Sequence, residues 1–290
     1  MWLFQESGFR RREVNAEYRL REAFETARNR NKIKRRYREL IEPNQSMFLH
    51  AASPRSRIRF FRSFCQEFCE HFDLHPHNRY PDQPLFLITI VDVECCVSVD
   101  DSEIDIDRIR QRLRFRMPGI SFVGCIEPGL YANKATGSYG AGKSAVSWHF
   151  HGIAWGLSKS EMRRRIDALE KRGRYLPIAD GLAGVHSKPI HPSEFARTLG
   201  YPFKSPRNEY RLRKILSSAD EQPQFQQFVS TLRKGNQLNL FNQCKALYLD
   251  DLLLASGEGV GILAKTMKTA LAEFRRRSAK PISRGRKRCS

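Results

Sequence analysis

The residues with the greatest chemical potential lie in Trp148-His149-Phe150-His151-Gly152. Side chains alternate faces along a strand, so His149 and His151 point the same way while Phe150 enters the opposite layer. Two imidazoles so placed can share one metal ion, and a third ligand must then come from a neighbouring strand. Glu127, polar at the end of the otherwise apolar Ser121-Phe122-Val123-Gly124-Cys125-Ile126 run, is the candidate. Two histidines and one carboxylate leave coordination positions open for substrate oxygens, as a catalytic site requires. The competing reading is a half-exposed histidine pair on a sheet face without an ion. A second candidate is Tyr201-Pro202-Phe203-Lys204. A tyrosine can attack a phosphodiester, and a lysine three residues on can offset the developing negative charge. Gly200 and Pro202 disfavour a helix interior and put Tyr201 at a helix end or kink. Tyr210, four residues before Lys214, is the alternative nucleophile.

Three further motifs carry weaker chemistry. Gly137-Ser138-Tyr139-Gly140-Ala141-Gly142-Lys143-Ser144 matches a phosphate loop letter for letter, yet it lies between a polar segment and the His-pair strand. A phosphate loop needs a buried strand before it and a helix after it, so a flexible loop with Lys143 touching DNA is expected instead of a nucleotide site. His75-Pro76-His77 has the same His-x-His spacing, but proline cannot donate to a sheet ladder. Cys65, Cys69, His71 and His75 could form a small zinc site, with buried thiols among phenylalanines as the competing reading.

The elements that must position these groups follow from periodicity. Residues 8–42, rich in arginine, lysine and glutamate, read as one long basic helix ending before Pro43, with Arg35 and Arg36 as candidate DNA contacts. A second helix fits 57–72, where Ile58, Phe61, Phe64, Cys65 and Phe68 recur at helical spacing. Strands are expected at 85–91, 121–127, 146–155 and 184–190. Helices are expected at 102–116, from 158 to 172 behind a Ser158/Glu161 capping box, and near Glu194. Beyond Pro206 the chain reads as helical to about 276, before a basic, apolar-poor tail.

The fold class expected is α+β, a mainly antiparallel five-stranded sheet with helices on one face and the His pair on the exposed face. The boundaries expected are a basic helical extension at 1–80, a catalytic domain at 81–215, a helical region at 216–276 and a disordered tail at 277–290. The chain has 51 Lys+Arg against 31 Asp+Glu, a formal net charge of +20, which points to a polyanionic partner such as nucleic acid. Nineteen phenylalanines and nine tyrosines can supply a core, which argues against wholesale disorder. No apolar run reaches the roughly 18 residues of a membrane span, and no membrane partner is expected. Seven cysteines without a visible secretory signal read as reduced thiols in a cytoplasmic protein.

Taken in order, these motifs resemble the HUH endonuclease superfamily, the rolling-circle replication initiators with their relatives among relaxases and transposases. The resemblance rests on the apolar Phe86-Leu87-Ile88-Thr89-Ile90 strand, then Trp148-His149-Phe150-His151-Gly152, then Tyr201-Pro202-Phe203-Lys204, and covers about residues 84–215. Lys188-Pro189-Ile190 is similar to segments of several bacterial replication proteins. The resemblance implies a ferredoxin-like or RRM-like core and a single-tyrosine enzyme. It further implies that His149, His151 and Glu127 hold one Mg²⁺ or Mn²⁺, that Tyr201 forms a 5′-phosphotyrosyl link and that Lys204 stabilises charge. Single-stranded or hairpin origin DNA of a plasmid or phage-like element is the implied substrate, with a host helicase as partner. A transposase, a mobilisation relaxase or a non-catalytic nucleic-acid-binding protein are the alternatives.

Overall fold

The computed structural model describes residues 2–26, 48–74, 80–101, 103–114, 117–132, 144–215 and 224–278. Arg35, Arg36, Lys143, His75-Pro76-His77, the phosphate-loop match up to Lys143 and the tail from 279 lie outside these residues.

Among the described residues the fold is α+β, built on a sheet of seven strands instead of five. The strands are β1 (Phe86–Ser98), β2 (Ser121–Tyr131), β3 (Ala145–Trp155), β4 (Val185–Pro189), β5 (Asn208–Ile215), β6 (Gln224–Thr231) and β7 (Leu253–Ser256). Their order is β4-β1-β3-β2-β5-β6, with β7 also pairing with β2. All pairs are antiparallel except β2 with β5, which meet in parallel at Leu130↔Glu209 and Tyr131↔Tyr210. The sheet is therefore mixed.

Two departures from the expected elements have identifiable physical reasons. Strand β1 runs past the expected end at Val91 because its register shifts between Val91 and Cys96. Its buried Asp92, which reads as a strand breaker, is neutralised by the Arg112 guanidinium at 2.6 Å. Residues 208–215 and 224–231 form a hairpin instead of a helix. Arginine, lysine and glutamine are good helix formers, but strand pairing against β2 outweighs so small a preference. Tyr210 therefore sits on a strand. Leu253–Ser256 is likewise a strand within the stretch expected to be helical.

Several helices begin where the chain supplies a side-chain cap. Ser53 accepts from the Ser56 amide ahead of α3 (Pro54–His71), with Pro54 in the first turn where a missing N–H costs nothing. Ser158 accepts from the Glu161 amide to open Lys159–Lys171, as its capping box predicts. The helix expected at 102–116 is shorter, Ile106–Leu113, and is capped by Asp105. In the described part of the basic N-terminal segment, α1 (Trp2–Glu6) and α2 (Phe9–Glu25) are separated by Gly8, whose φ of 62° suits only glycine well.

One core joins these parts. Phe60, Phe61, Phe64 and Phe68 of α3 cluster with Phe9, Phe203, Phe195 and Trp155, and the same cluster extends to Ala270 near the C-terminus. Trp155 shares its strand face with His149 and His151, and it packs edge-on against Phe68 and Phe72. Helix α3 therefore covers one end of the histidine face. The sequence places the His pair on an exposed face; the structure instead buries it, with His149 and His151 each 5% exposed.

Candidate metal centre

Cross-strand register builds the site. Glu127 of β2 lies directly opposite His149 of β3, and Thr89 of β1 lies opposite His151. All four side chains project to one face and all four are buried. The candidate ligand atoms of Glu127, His149 and His151 lie within 4.8 Å of one another. Among the described residues this is the single group of three or more such side chains placed to hold an ion. Cys65, Cys69 and His71 do not form a second one, and His75 lies outside the described residues.

The hydrogen bonds around the histidines orient their outer nitrogens. His149 Nδ1 lies 3.1 Å from the Ser147 carbonyl oxygen, which can only accept, so Nδ1 carries a proton. His151 Nδ1 lies 2.8 Å from Thr89 Oγ1. Fixing Nδ1 in this way turns Nε2 towards the interior, as metal-binding histidines are held by their second hydrogen bond. Both Nε2 atoms stand 3.3 Å from the same oxygen, Glu127 Oε1. A neutral imidazole in this tautomer aims a lone pair at a carboxylate, which a cation between them relieves. His151 Nε2 and Glu127 Oε2 are moreover buried without a hydrogen-bond partner. Unsatisfied buried polar atoms are costly, and here two of them belong to the three candidate ligands. The donor set thus fits a metal ion with two imidazoles and a carboxylate.

Lys204 supplies the one cation now at that point, its Nζ 2.6 Å from Glu127 Oε1. Burial pushes the Glu127 carboxyl up, but the Lys204 ammonium and the two imidazoles outweigh it and hold it well below the usual range. Burial also drives His151 down to about 3, against the pull of Glu127, so at neutral pH this imidazole is uncharged and able to ligate.

Tyr201 enters from a short 3₁₀ turn, Tyr201–Phe203, after the helix Phe195–Leu199. This is the helix-end placement that Gly200 and Pro202 imply. Its ring meets His151 edge-on with centroids 4.8 Å apart, and Lys204 Nζ lies 3.7 Å from its centroid. The turn is held from three sides. Phe203 inserts among Phe60, Phe61 and Phe64. Arg57, 1% exposed, donates to the carbonyls of Phe203 and Lys204. Glu13 of α2, fully buried, accepts from the Ser205 amide and hydroxyl and from Arg207. A Cβ at Gly200 would come within 2.9 Å of the Phe9 ring, so glycine is needed for this close approach.

Tyr210 reaches the same region from β5 and stacks on Tyr131 with centroids 5.1 Å apart. Burial first, then the Glu127 carboxylate and the Tyr201 and Tyr131 phenols, push its phenol well above the usual range. Both candidate tyrosines, both histidines, Thr89 and His186 line one cleft of about 410 Å³.

Several of these roles are invisible in sequence motifs. Thr89, Arg57 and Glu13 act across long stretches of chain. Gly129 acts by lacking a side chain: a Cβ there would stand 2.8 Å from His149 Cε1 and 3.1 Å from the Tyr210 ring. His186, opposite Thr89 in the β1–β4 register, had only its strand context as a signal. No family model, no curated protein and no solved structure matches the chain.

Proposed function

We propose that the protein is a metal-dependent single-strand DNA endonuclease and strand transferase of the HUH type, initiating rolling-circle replication of a plasmid or phage-like element. The observation that carries this reading is the convergence of Glu127, His149 and His151 with Lys204 and Tyr201, where His149, His151 and Tyr201 also line one cleft. The motifs that bear these five residues follow one another in the order that the resemblance requires. The net charge of +20 suits a polyanionic substrate.

In this reading Glu127, His149 and His151 hold one Mg²⁺ or Mn²⁺. When bound, the ion supplies Lewis-acid polarisation of the scissile phosphate. Thr89 and the Ser147 carbonyl keep the imidazoles turned towards it. Tyr201 Oη attacks phosphorus and loses its proton. The bond from phosphorus to the 3′-oxygen breaks, and that oxygen takes up a proton to become a free 3′-hydroxyl. The 5′ side stays linked to Tyr201 as a phosphodiester, so the same exchange in reverse rejoins a strand without ATP. Lys204, close to both Glu127 and Tyr201, offsets negative charge on the phosphorane oxygens. Tyr201 is preferred to Tyr210 because the latter's buried phenol resists ionisation. A host helicase supplies unwinding.

The test is cleavage of a randomised single-stranded DNA pool with Mn²⁺, with and without chelator, using wild type and His149→Ala. Chelator-sensitive cleavage lost in His149→Ala, with DNA affinity retained, supports the enzyme. Tight binding without cleavage, on the element's own origin DNA as well, supports a non-catalytic binder.

A further inference from the structure

The β5–β6 hairpin forms the sheet edge next to the cleft, and its two faces differ. On the inner face Leu212 and Phe225 are buried in a cluster with Tyr131, Ile178 and Ala179, while Tyr210, Gln227 and Val229 line the cleft. On the outer face Arg211, Arg213, Ile215, Gln226, Phe228 and Ser230 are all exposed. Arg211 lies directly opposite Phe228 in the register, and the Arg213 guanidinium sits 4.9 Å from the centre of the Phe228 ring.

This edge is unusually apolar for so basic a surface. Of the nine large hydrophobic residues that stand exposed among the described residues, two (Ile215 and Phe228) lie on this outer face and a third, Val229, on the other face of the same hairpin. Strand β6 ends the sheet order, so its outer backbone groups have no strand partner among the described residues. An aromatic ring interleaved with arginines on an exposed strand pair combines a flat stacking surface with phosphate-binding charge, the two elements that hold unpaired nucleotides. Duplex DNA offers its bases only through the grooves, whereas a single strand offers base faces to Phe228 and phosphates to Arg211 and Arg213, which share its face.

We propose that the outer face of the β5–β6 hairpin is a stacking platform for the single strand that leaves the catalytic cleft, with Phe228 taking a base face and Arg211 and Arg213 flanking phosphates. This rests on the nucleic-acid reading above and deepens it by naming where the strand beyond the scissile phosphate is held. It needs no metal.

The experiment is fluorescence anisotropy of a labelled fifteen-residue oligothymidylate in chelator, with the full chain, across a salt series. Phe228→Ala should weaken binding about tenfold at every salt concentration, within the range a lost base stack produces. Phe228→Tyr should bind like wild type. Arg211→Gln combined with Arg213→Gln should flatten the salt dependence by more than one unit of slope, since each phosphate contact to a single strand contributes roughly 0.7. Phe228→Ala binding within twofold of wild type would overturn the platform. So would a Phe228→Ala protein that changes oligomeric state in sedimentation while binding DNA normally, because the edge would then serve a second copy. Weakened binding by Phe228→Ala in a protein that never forms a covalent adduct would uphold the platform and sink the nicking reaction, so the two failures are distinct.

Discussion

The same face of strand β3 carries two opposite environments. At one end Trp155 lies beneath Phe68 of α3 and Phe72 just after it, in a core that extends through Phe60, Phe61 and Phe64. Four residues back, His151 and then His149 face a carboxylate, a lysine and a tyrosine, and two of the polar atoms there lack any partner. The phenylalanine end is satisfied by packing alone. The histidine end is satisfied only in part, and its donor set could hold a cation. Phe203 joins them, because the turn that presents Tyr201 and Lys204 is anchored in the phenylalanine cluster. Apolar packing is concentrated at one end of the face and the candidate metal ligands at the other.

That division predicts separable losses. Phe64→Ala, at a fully buried ring, should cost about 3–5 kcal/mol of unfolding free energy in a urea melt. The fraction that stays folded should bind Mn²⁺ as wild type does. Thr89→Val should do the reverse. Freed of its hydrogen bond, His151 loses its fixed orientation, and Mn²⁺ affinity by calorimetry should fall roughly 10–100-fold with little change in the urea midpoint. If the two variants lost stability and metal affinity together, the face would not be divided in this way.

Lys204→Met sharpens the polar end. The ammonium and a metal ion compete for Glu127 Oε1, so its removal should raise Mn²⁺ affinity severalfold in calorimetry, while the loss of positive charge beside Tyr201 slows cleavage. An affinity that falls instead would mean that Lys204 supports the metal. The smallest effect is on pH. In metal-free protein His151 titrates at about 3, against 6.5 for an unfolded histidine, so between these values the unfolded chain binds more protons. Thermal stability should therefore decline as pH falls from about 6.5, and Glu127, held below its usual range, adds to the loss below about 4.5. His151→Asn should flatten the upper part of that decline.

The part of this division legible in sequence is the part written in local spacing. His149 and His151 two apart in an apolar strand fix a shared face, and Glu127 in the preceding strand, which runs on to Tyr131 past the expected end, becomes their neighbour once β2 and β3 pair. Gly200 and Pro202 correctly place Tyr201 at a helix end. The paired strands at 208–215 and 224–231 were hidden because their arginines, lysine and glutamines suit a helix, although Tyr210 and Leu212 alternating with Arg211 and Arg213 carry a period of two. Its parallel pairing with β2, which makes the sheet mixed, has no local signature. Arg57 and Glu13 were hidden for another reason. Glu13 lies in a basic stretch that reads as solvated and Arg57 opens a helix known only by its apolar face, and the burial of each depends on a turn about 190 or 150 residues away. Gly129 could not be distinguished from any turn glycine beside Pro128.

The central claim is that Tyr201 is the nucleophile of a metal-assisted strand exchange. Incubating wild type, Tyr201→Phe and Tyr210→Phe with single-stranded origin DNA and Mn²⁺, followed by a denaturing gel, tests it most directly. The account predicts a chelator-sensitive protein–DNA adduct in wild type and in Tyr210→Phe, and none in Tyr201→Phe. An adduct that persists in Tyr201→Phe and disappears in Tyr210→Phe would contradict it.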